Sequence, residues 1–247
     1  MIQPMIQPVI QPVVPPMIQL RDVRKSYSRG TESVLACAVD RLDIAAGEQV
    51  ALIGRSGTGK TTVLHILAGI LRPDQGSIEA VGRRLDQMSE SARDRHRGRH
   101  IGMVYQTFNL LQPFTALENV LLGALFGRGA GSDSRARAEA LLQQVGLGDR
   151  MHHRPRELSV GQVQRVAICR ALVNDPELIL MDEPLGNQDR ATGGQVLDAL
   201  LQLATRGKKT VVMVTHDPES AKRMQRTVDL ATLRGATPVV AAAGGSS

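Results

Sequence analysis

Aromatic side chains are almost missing from this chain: among 247 residues there are no Trp, two Tyr (Tyr27 and Tyr105) and three Phe. Cysteine is nearly as scarce. Cys37 and Cys169 stand in unrelated apolar contexts with no CxxC spacing, which excludes a disulfide framework or zinc site and predicts buried free thiols in a reducing compartment. Long apolar runs are absent too. No stretch approaches the roughly 18 to 20 residues that a membrane-spanning helix needs, so the chain is expected to be soluble by itself. The charge is moderately one-sided, +6 from 30 Lys and Arg against 24 Asp and Glu. That suits an anionic ligand or a membrane surface. The basic run RDRHRGRH (Arg93 to His100) has no interleaved aromatics. It reads as a solvated helix or loop face, and no nucleic-acid partner is expected.

The two ends differ from the middle. MIQPMIQPVIQPVVPP repeats a four-residue unit ending in proline, so it can neither join a ladder nor extend a helix. It has neither the basic start nor the continuous apolar core of a signal peptide. Residues 1–16 are therefore expected to be a disordered tail, with Met17 standing as an alternative start. Residues 236–247 read as a second loose tail.

Between the tails, apolar strand-like runs alternate with helix-like ones. The strand-like runs are Ile18–Val23, Val34–Ile44, Gln49–Ile53, Ser77–Val81, Ile101–Val104, Leu178–Met181 and Thr210–Val214. The helix-like runs are Thr61–Leu71, Ala116–Leu125, Ser134–Val145, Gly161–Leu172, Arg190–Leu203 and Pro218–Met224. Short apolar strands alternating with helices predict an α/β fold whose mostly parallel sheet is covered by helices. The stretch from Thr107 to Leu158 carries helices and loops but no clear strand, and reads as a helical insertion of about 107–158 in a domain spanning 17–235.

The strongest chemical signal is VALIGRSGTGKTTVLHILAG. An apolar strand runs into Gly54-Arg55-Ser56-Gly57-Thr58-Gly59-Lys60-Thr61-Thr62 and then into an apolar-periodic helix. This is the phosphate-loop pattern in its strand–loop–helix setting. Glycines let backbone N–H groups wrap the phosphates, Lys60 adds a point charge, and the Thr61 hydroxyl can hold Mg²⁺. The second signal is ELILMDEP, an apolar strand ending in Asp182 and Glu183. Magnesium takes only one or two carboxylates, so Asp182 can serve the metal while Glu183 is free to orient or deprotonate an attacking water.

Other candidates are weaker one by one. Gln106 follows the strand-like IGMVY, and His216 follows VVMVT. Tyr27 could stack on a base or simply be half-buried. Ser159 and Gln162, in LSVGQVQRVAICRAL, make a capping box at a helix start, and the exposed amides there would also suit an anion. A shared place at the carboxyl ends of parallel strands would bring Gln106 and His216 to a ligand, because open α/β sheets bind there.

Taken in order, the phosphate loop, Gln106, the helical insertion, LSVGQ, LILMDEP, GNQD and VTHD resemble the succession of motifs in ABC-type ATPases. The resemblance runs from about Met17 to Gly235, and YQTFNLLQPFTALENVLL with DEPLGN looks like the ATPase subunits of the lipoprotein-releasing and macrolide-export type. It implies an ABC ATPase fold with an N-terminal antiparallel β part, and ATP and Mg²⁺ as ligands. Tyr27 would stack on adenine, and Gly54 to Thr62 would hold phosphates and metal. Gln106 would sense the metal and γ-phosphate. Asp182 would serve Mg²⁺, Glu183 would be the catalytic base, and His216 would contact the γ-phosphate. Asp189 would lie in a loop crossing to a partner. Ser159 and Gly161, with Gln162 behind them, would bind the γ-phosphate held by a second copy of the chain. Two positions depart from the family pattern. Val160 stands where glycine is usual, and a β-branched side chain disfavours positive φ and holds off a facing backbone. Gln188 replaces the usual leucine.

The implied function is that of an ATP-hydrolysing subunit of a membrane export complex. Two copies would close head to tail on ATP and drive a separate integral membrane permease docked near the helical subdomain. The protein would sit at the cytoplasmic face of the inner membrane, peripheral through that permease. The resemblance leaves a regulatory ATPase–permease pair of the cell-division type open. A soluble ABC ATPase of translation or DNA repair fits less well, since one nucleotide site and a short insertion come without long coiled-coil arms. A P-loop GTPase fits worse, because Asn187-Gln188-Asp189 misses the Asn-Lys-x-Asp spacing for guanine.

Overall fold

The computed structural model describes residues 16–30, 32–55, 57–129, 131–185 and 190–234. Both tail expectations fall almost wholly outside these residues, as do Ser56, Asn187, Gln188 and Asp189.

The first layer is an antiparallel sheet. A long hairpin pairs β1 (Ile18–Arg29) with β2 (Glu32–Ile44). On its other side β1 pairs with β4 (Gln75–Ala80), which in turn carries β5 (Arg83–Arg84). The hairpin is longer than the Ile18–Val23 and Val34–Ile44 expectations. Its outer end is held by cross-strand pairing rather than by burial, and the first four residues of β2 are exposed.

The second layer is a five-stranded sheet built from β3 (Gln49–Ile53), β6 (Ile101–Val104), β7 (Leu178–Asp182), β8 (Thr210–Thr215) and β9 (Arg226–Asp229), in the order β6-β7-β8-β3-β9. Every pair in it is parallel. The central strands β7 and β8 are buried at every residue, which is why they read as unbroken apolar runs. Side chains along them alternate between two cores, as a period of two requires. Val50, Leu52, Leu178, Leu180, Val212 and Val214 face the antiparallel layer and helix α1 (Lys60–Leu67). Ala51, Ile179, Met181, Val211 and Met213 pack with Leu197, Leu200 and Leu201 of α6 (Arg190–Arg206) and with Ala221 of α7 (Pro218–Lys222).

Between β6 and β7 lie α3 (Ala116–Leu125), α4 (Ser132–Gln144), two short 3₁₀ turns and α5 (Val160–Leu172), and among the described residues no strand. These helices share a third core of Leu117, Val120, Ala138, Leu142, Leu147 and Val166. Helix α5 belongs to two cores at once. Its Val166 and Cys169 enter the helical one, whereas Ile168 and Ala171 pack on the parallel sheet. That double burial couples the helical part to the strand ends.

Two details differ from the pattern-based expectations, and the basic run takes the helical form of the two expected for it. α1 stops at Leu67 rather than Leu71, because the amides of Ile70 and Leu71 turn back to His65 O at 2.9 and 3.1 Å. The basic run lies in a helix, α2 (Glu90–His100), which has no apolar stripe to reveal it. Ser89 caps its start, and Arg97, Arg99 and His100 fill its last turn, where cations favour the helix dipole. Strand β9 was not expected, since RTVD has no apolar alternation and sits at a sheet edge. Both cysteines are buried free thiols. No described helix is long and apolar enough to cross a membrane.

Candidate active site

The register of the parallel sheet assembles the site. Ile53 pairs with Thr215, Asp182 with Val214, and Val104 with Met181. The residues just past these pairs therefore emerge together at the carboxyl end of the sheet: Gly54, His216, Glu183, and, one step further, Gln106. They line one cleft of about 820 Å³ together with Arg55, Lys60, Pro218, Ala221, Lys222, Thr227 and Asp229.

Within the phosphate loop, Thr58 N–H closes a turn onto Arg55 O at 3.2 Å, with Gly57 at φ 78°. Gly59 caps α1 in the left-handed region at φ 83°. Its position has a second demand: a Cβ there would come within 2.0 Å of Ala36 O on β2. Only glycine meets both conditions. Lys60, 8% exposed, starts α1 and donates to Gly54 O at 3.0 Å and Arg55 O at 3.2 Å.

The acidic pair divides as its environment dictates. Asp182, at the end of buried β7, has its carboxyl pushed above the ordinary carboxylate range by burial, opposed by the hydrogen bond from Thr61. That bond is long, 3.4 Å from Thr61 Oγ1 to Asp182 Oδ1. A hydroxyl and a desolvated carboxylate at this spacing are hard oxygen donors suited to a divalent cation that keeps part of its water shell. Glu183 leaves the strand with φ 43°, an uncommon region for a residue with a side chain. Its amide is fixed to Val214 O at 2.9 Å. Its carboxylate contacts His216 Nδ1, and Lys60 Nζ lies 3.9 Å away.

Not every expected residue reaches the cleft. Gly57, Thr58, Gly59, Thr61, Thr62 and Asp182 adjoin the cleft through the loop, α1 and the end of β7 without lining it, and Ser159, Gly161, Gln162 and Tyr27 stand on other elements, also outside its lining. Tyr27 is 44% exposed on β1, opposite Val34, with Lys25 Nζ 6.0 Å from its ring centre. Ser159 is the N-cap of α5, and the reciprocal box is formed: Gln162 N–H donates to Ser159 Oγ at 3.3 Å, and Ser159 N–H donates to Gln162 Oε1 at 2.9 Å. Val160 opens the helix without a positive φ and is 60% exposed. Its branched side chain therefore fits its own backbone, and what it offers is an apolar face to solvent.

The profile of the ABC transporter family matches residues 39–186. The chain belongs to that family. The lipoprotein-releasing system ATP-binding protein LolD of Pseudomonas fluorescens is 45% identical over 214 residues, 87% of this chain and 94% of its own length. An uncharacterized ABC transporter ATP-binding protein of Thermotoga maritima is 45% identical over 203 residues, 82% of this chain and 86% of its own. Among solved structures, a dimeric ATP-binding cassette in a post-hydrolysis state bound to ADP and Pi superposes with a TM-score of 0.79 at 38% identity, over 86% of this chain and 94% of that one. The ABC ATPase fold expected from the motifs is the fold observed, and the chain is an ATP-binding and ATP-hydrolysing subunit of an ABC transporter. Sequence reasoning missed Lys222, Thr227 and Asp229 in the cleft wall. Lys222 comes from helix α7, whereas Thr227 and Asp229 reach the wall because β9 returns beside β3, and RTVD carries no motif that announces this.

Proposed function

We propose that this chain is the ATPase subunit of an export complex of the lipoprotein-releasing type, peripheral to the cytoplasmic face of the inner membrane through a separate permease. The observation that carries the reading is the convergence of four parallel strand ends on one cleft, with Lys60 and His216 on either side of the Glu183 carboxylate.

Each residue then has a task. Backbone amides of the phosphate loop and the Lys60 ammonium bind the phosphates of ATP. Thr61 and Asp182, with Gln106, would hold Mg²⁺, which would supply neutralisation of phosphate charge. Glu183 accepts a proton from the attacking water. His216 contacts that carboxylate and faces the γ-phosphate, and Tyr27 stacks on adenine. Ser159 is exposed at the N-terminus of α5, with Gly161 buried just behind it, and free amides at such a helix start suit the phosphates bound by a second copy arranged head to tail. The relatives named for lipoprotein release support the export reading at 45% identity. Closure on ATP and reopening after hydrolysis would work the permease by differential binding of ATP and ADP.

The test is to tag the chain, solubilise membranes gently and identify what co-purifies. Stoichiometric recovery of one integral membrane protein whose presence raises the ATPase rate supports the reading. Recovery of a permease bound to a periplasmic hydrolase would replace export with signalling.

A further inference from the structure

After β9 the chain does not leave the molecule. Leu230 N–H donates to Ile53 O at 2.9 Å, just before the phosphate loop, and its side chain is buried in the main core. The turn is closed by Thr232 N–H to Asp229 O at 3.0 Å and Ala231 N–H to Asp229 Oδ1 at 2.9 Å. Leu233 O then accepts from Asp40 N–H of β2 at 2.9 Å. This strap delivers Arg234 to the phosphate loop, where its Nη2 donates to Thr58 O at 2.9 Å.

Arg234 reaches the loop from the β2 side. It is absent from the lining of the ATP cleft. The guanidinium lies close enough to Cys37 that its charge works against the burial that pushes that thiol up to about 11. Cys37 and Ala36 are also the residues against which Gly59 is packed. Arg234 Nε is buried and has no hydrogen-bond partner among the described residues. An arginine held this way, with part of its fork unsatisfied, needs a reason, since such burial costs stability.

We infer that Arg234 is a positioning residue for the phosphate loop. All described peptide bonds are trans, and in a trans peptide the C=O and the following N–H point to opposite sides. Pinning Thr58 O from the β2 side therefore aims Gly59 N–H away from β2, towards the concave face of the loop. The same bond places a permanent positive charge behind that amide, which raises the loop's attraction for a polyphosphate. The contact that Arg234 makes on the loop is with Thr58 O. The arginine acts through the Thr58–Gly59 peptide, and the inference rests on the ATP-binding reading of the loop.

The experiment compares Arg234→Lys, Arg234→Gln and Arg234→Met in the full-length chain. It measures equilibrium binding of a fluorescent ATP analogue, KM and kcat for ATP, and melting temperature without nucleotide. The expected result is a rise of about tenfold in Kd and KM for Met, equivalent to about 1.4 kcal/mol. The rise should be smaller for Gln and smallest for Lys, with kcat at saturating ATP falling far less than KM rises. Should Met fail to fold, the ranking of Lys above Gln decides. Equal affinities for Lys, Gln and the natural arginine would overturn the inference. So would losses of kcat, affinity and melting temperature in step, which would mean that the side chain merely anchors the strap. Lys60→Ala serves as the control: if it binds the analogue normally, the phosphate-loop reading itself has failed, not the role of Arg234.

Discussion

The carboxylate of Glu183 and Nδ1 of His216 touch across the ends of adjacent parallel strands, and Lys60 Nζ stands 3.9 Å from the other carboxylate oxygen. A carboxylate held between two such groups is fixed in direction. Glu183→Gln keeps the shape but cannot take a proton. It should bind ATP with ordinary affinity while hydrolysis slows by about 10² to 10⁴, the usual worth of a general base. With turnover stalled, the variant should elute as an ATP-dependent dimer in size-exclusion chromatography. Hydrolysis within threefold of the parent would remove Glu183 from the chemistry.

Gly59 and Gly57 separate two kinds of glycine requirement. Both have positive φ, but a Cβ at Gly57 would meet nothing within 4 Å, whereas one at Gly59 would meet Ala36 O at 2.0 Å. Gly57→Ala should therefore cost only the conformational penalty, about 1 to 2 kcal/mol. Gly59→Ala adds a backbone clash worth about another 1 to 3 kcal/mol, and pushes the loop off β2. Thermal unfolding should show the larger loss for Gly59→Ala, together with loss of ATP binding. Equal effects at the two sites would contradict the packing of the loop on β2.

The buried carboxyl of Asp182 costs the fold stability when it is ionised. Burial raises its pKa in the folded state, so the folded form prefers the protonated carboxyl. Stability contributed by that preference is present below the unfolded value, about 3.9, and is lost as pH rises through the raised folded value. At neutral pH without nucleotide or magnesium, Asp182→Asn should thus melt no lower than the parent, while its ATPase activity disappears. Its stability should also fall less than the parent's as pH rises from about 4 to 7. A clear drop in melting temperature for the asparagine variant would show that the ionised carboxylate stabilises the fold through contacts other than the Thr61 bond.

Legibility tracks how local the cause of each feature is. Strands β7 and β8 announce themselves because both faces are covered, so their runs are almost wholly apolar, and helix α3 because of its helix-like run Ala116–Leu125. Strand β9 owes its existence to its neighbour β3 rather than to its own periodicity, and helix α2 carries an N-cap serine and a basic last turn but no apolar stripe. The motif residues were readable because phosphate, metal and base chemistry demand particular side chains after particular strands. What the sequence did not disclose is how the site is held: the positive φ of Glu183, the pressure of Ala36 on Gly59, and the return of Arg234 from the far end of the chain. Each depends on a contact between segments far apart in sequence.

The capping box at Ser159 leaves its role open to a decisive test. As a cap, Ser159 needs nothing beyond its own helix. As a phosphate ligand for a second copy, it must act across a boundary, from the exposed start of α5. Lys60→Ala disables the phosphates bound by its own chain, and Ser159→Arg blocks the surface offered to the other. Homodimers of either variant carry two broken sites. A mixed dimer concentrates both defects in one site and leaves the other with an intact phosphate loop facing an intact α5. Mixing the two inactive variants, re-annealing them with the permease and assaying ATPase should therefore restore part of the activity, given a control in which one good site turns over. If Ser159 served its own chain's nucleotide, each site in the mixture would keep one defect and nothing would return. Absence of rescue, with heterodimers demonstrated, would leave Ser159 as a helix cap alone.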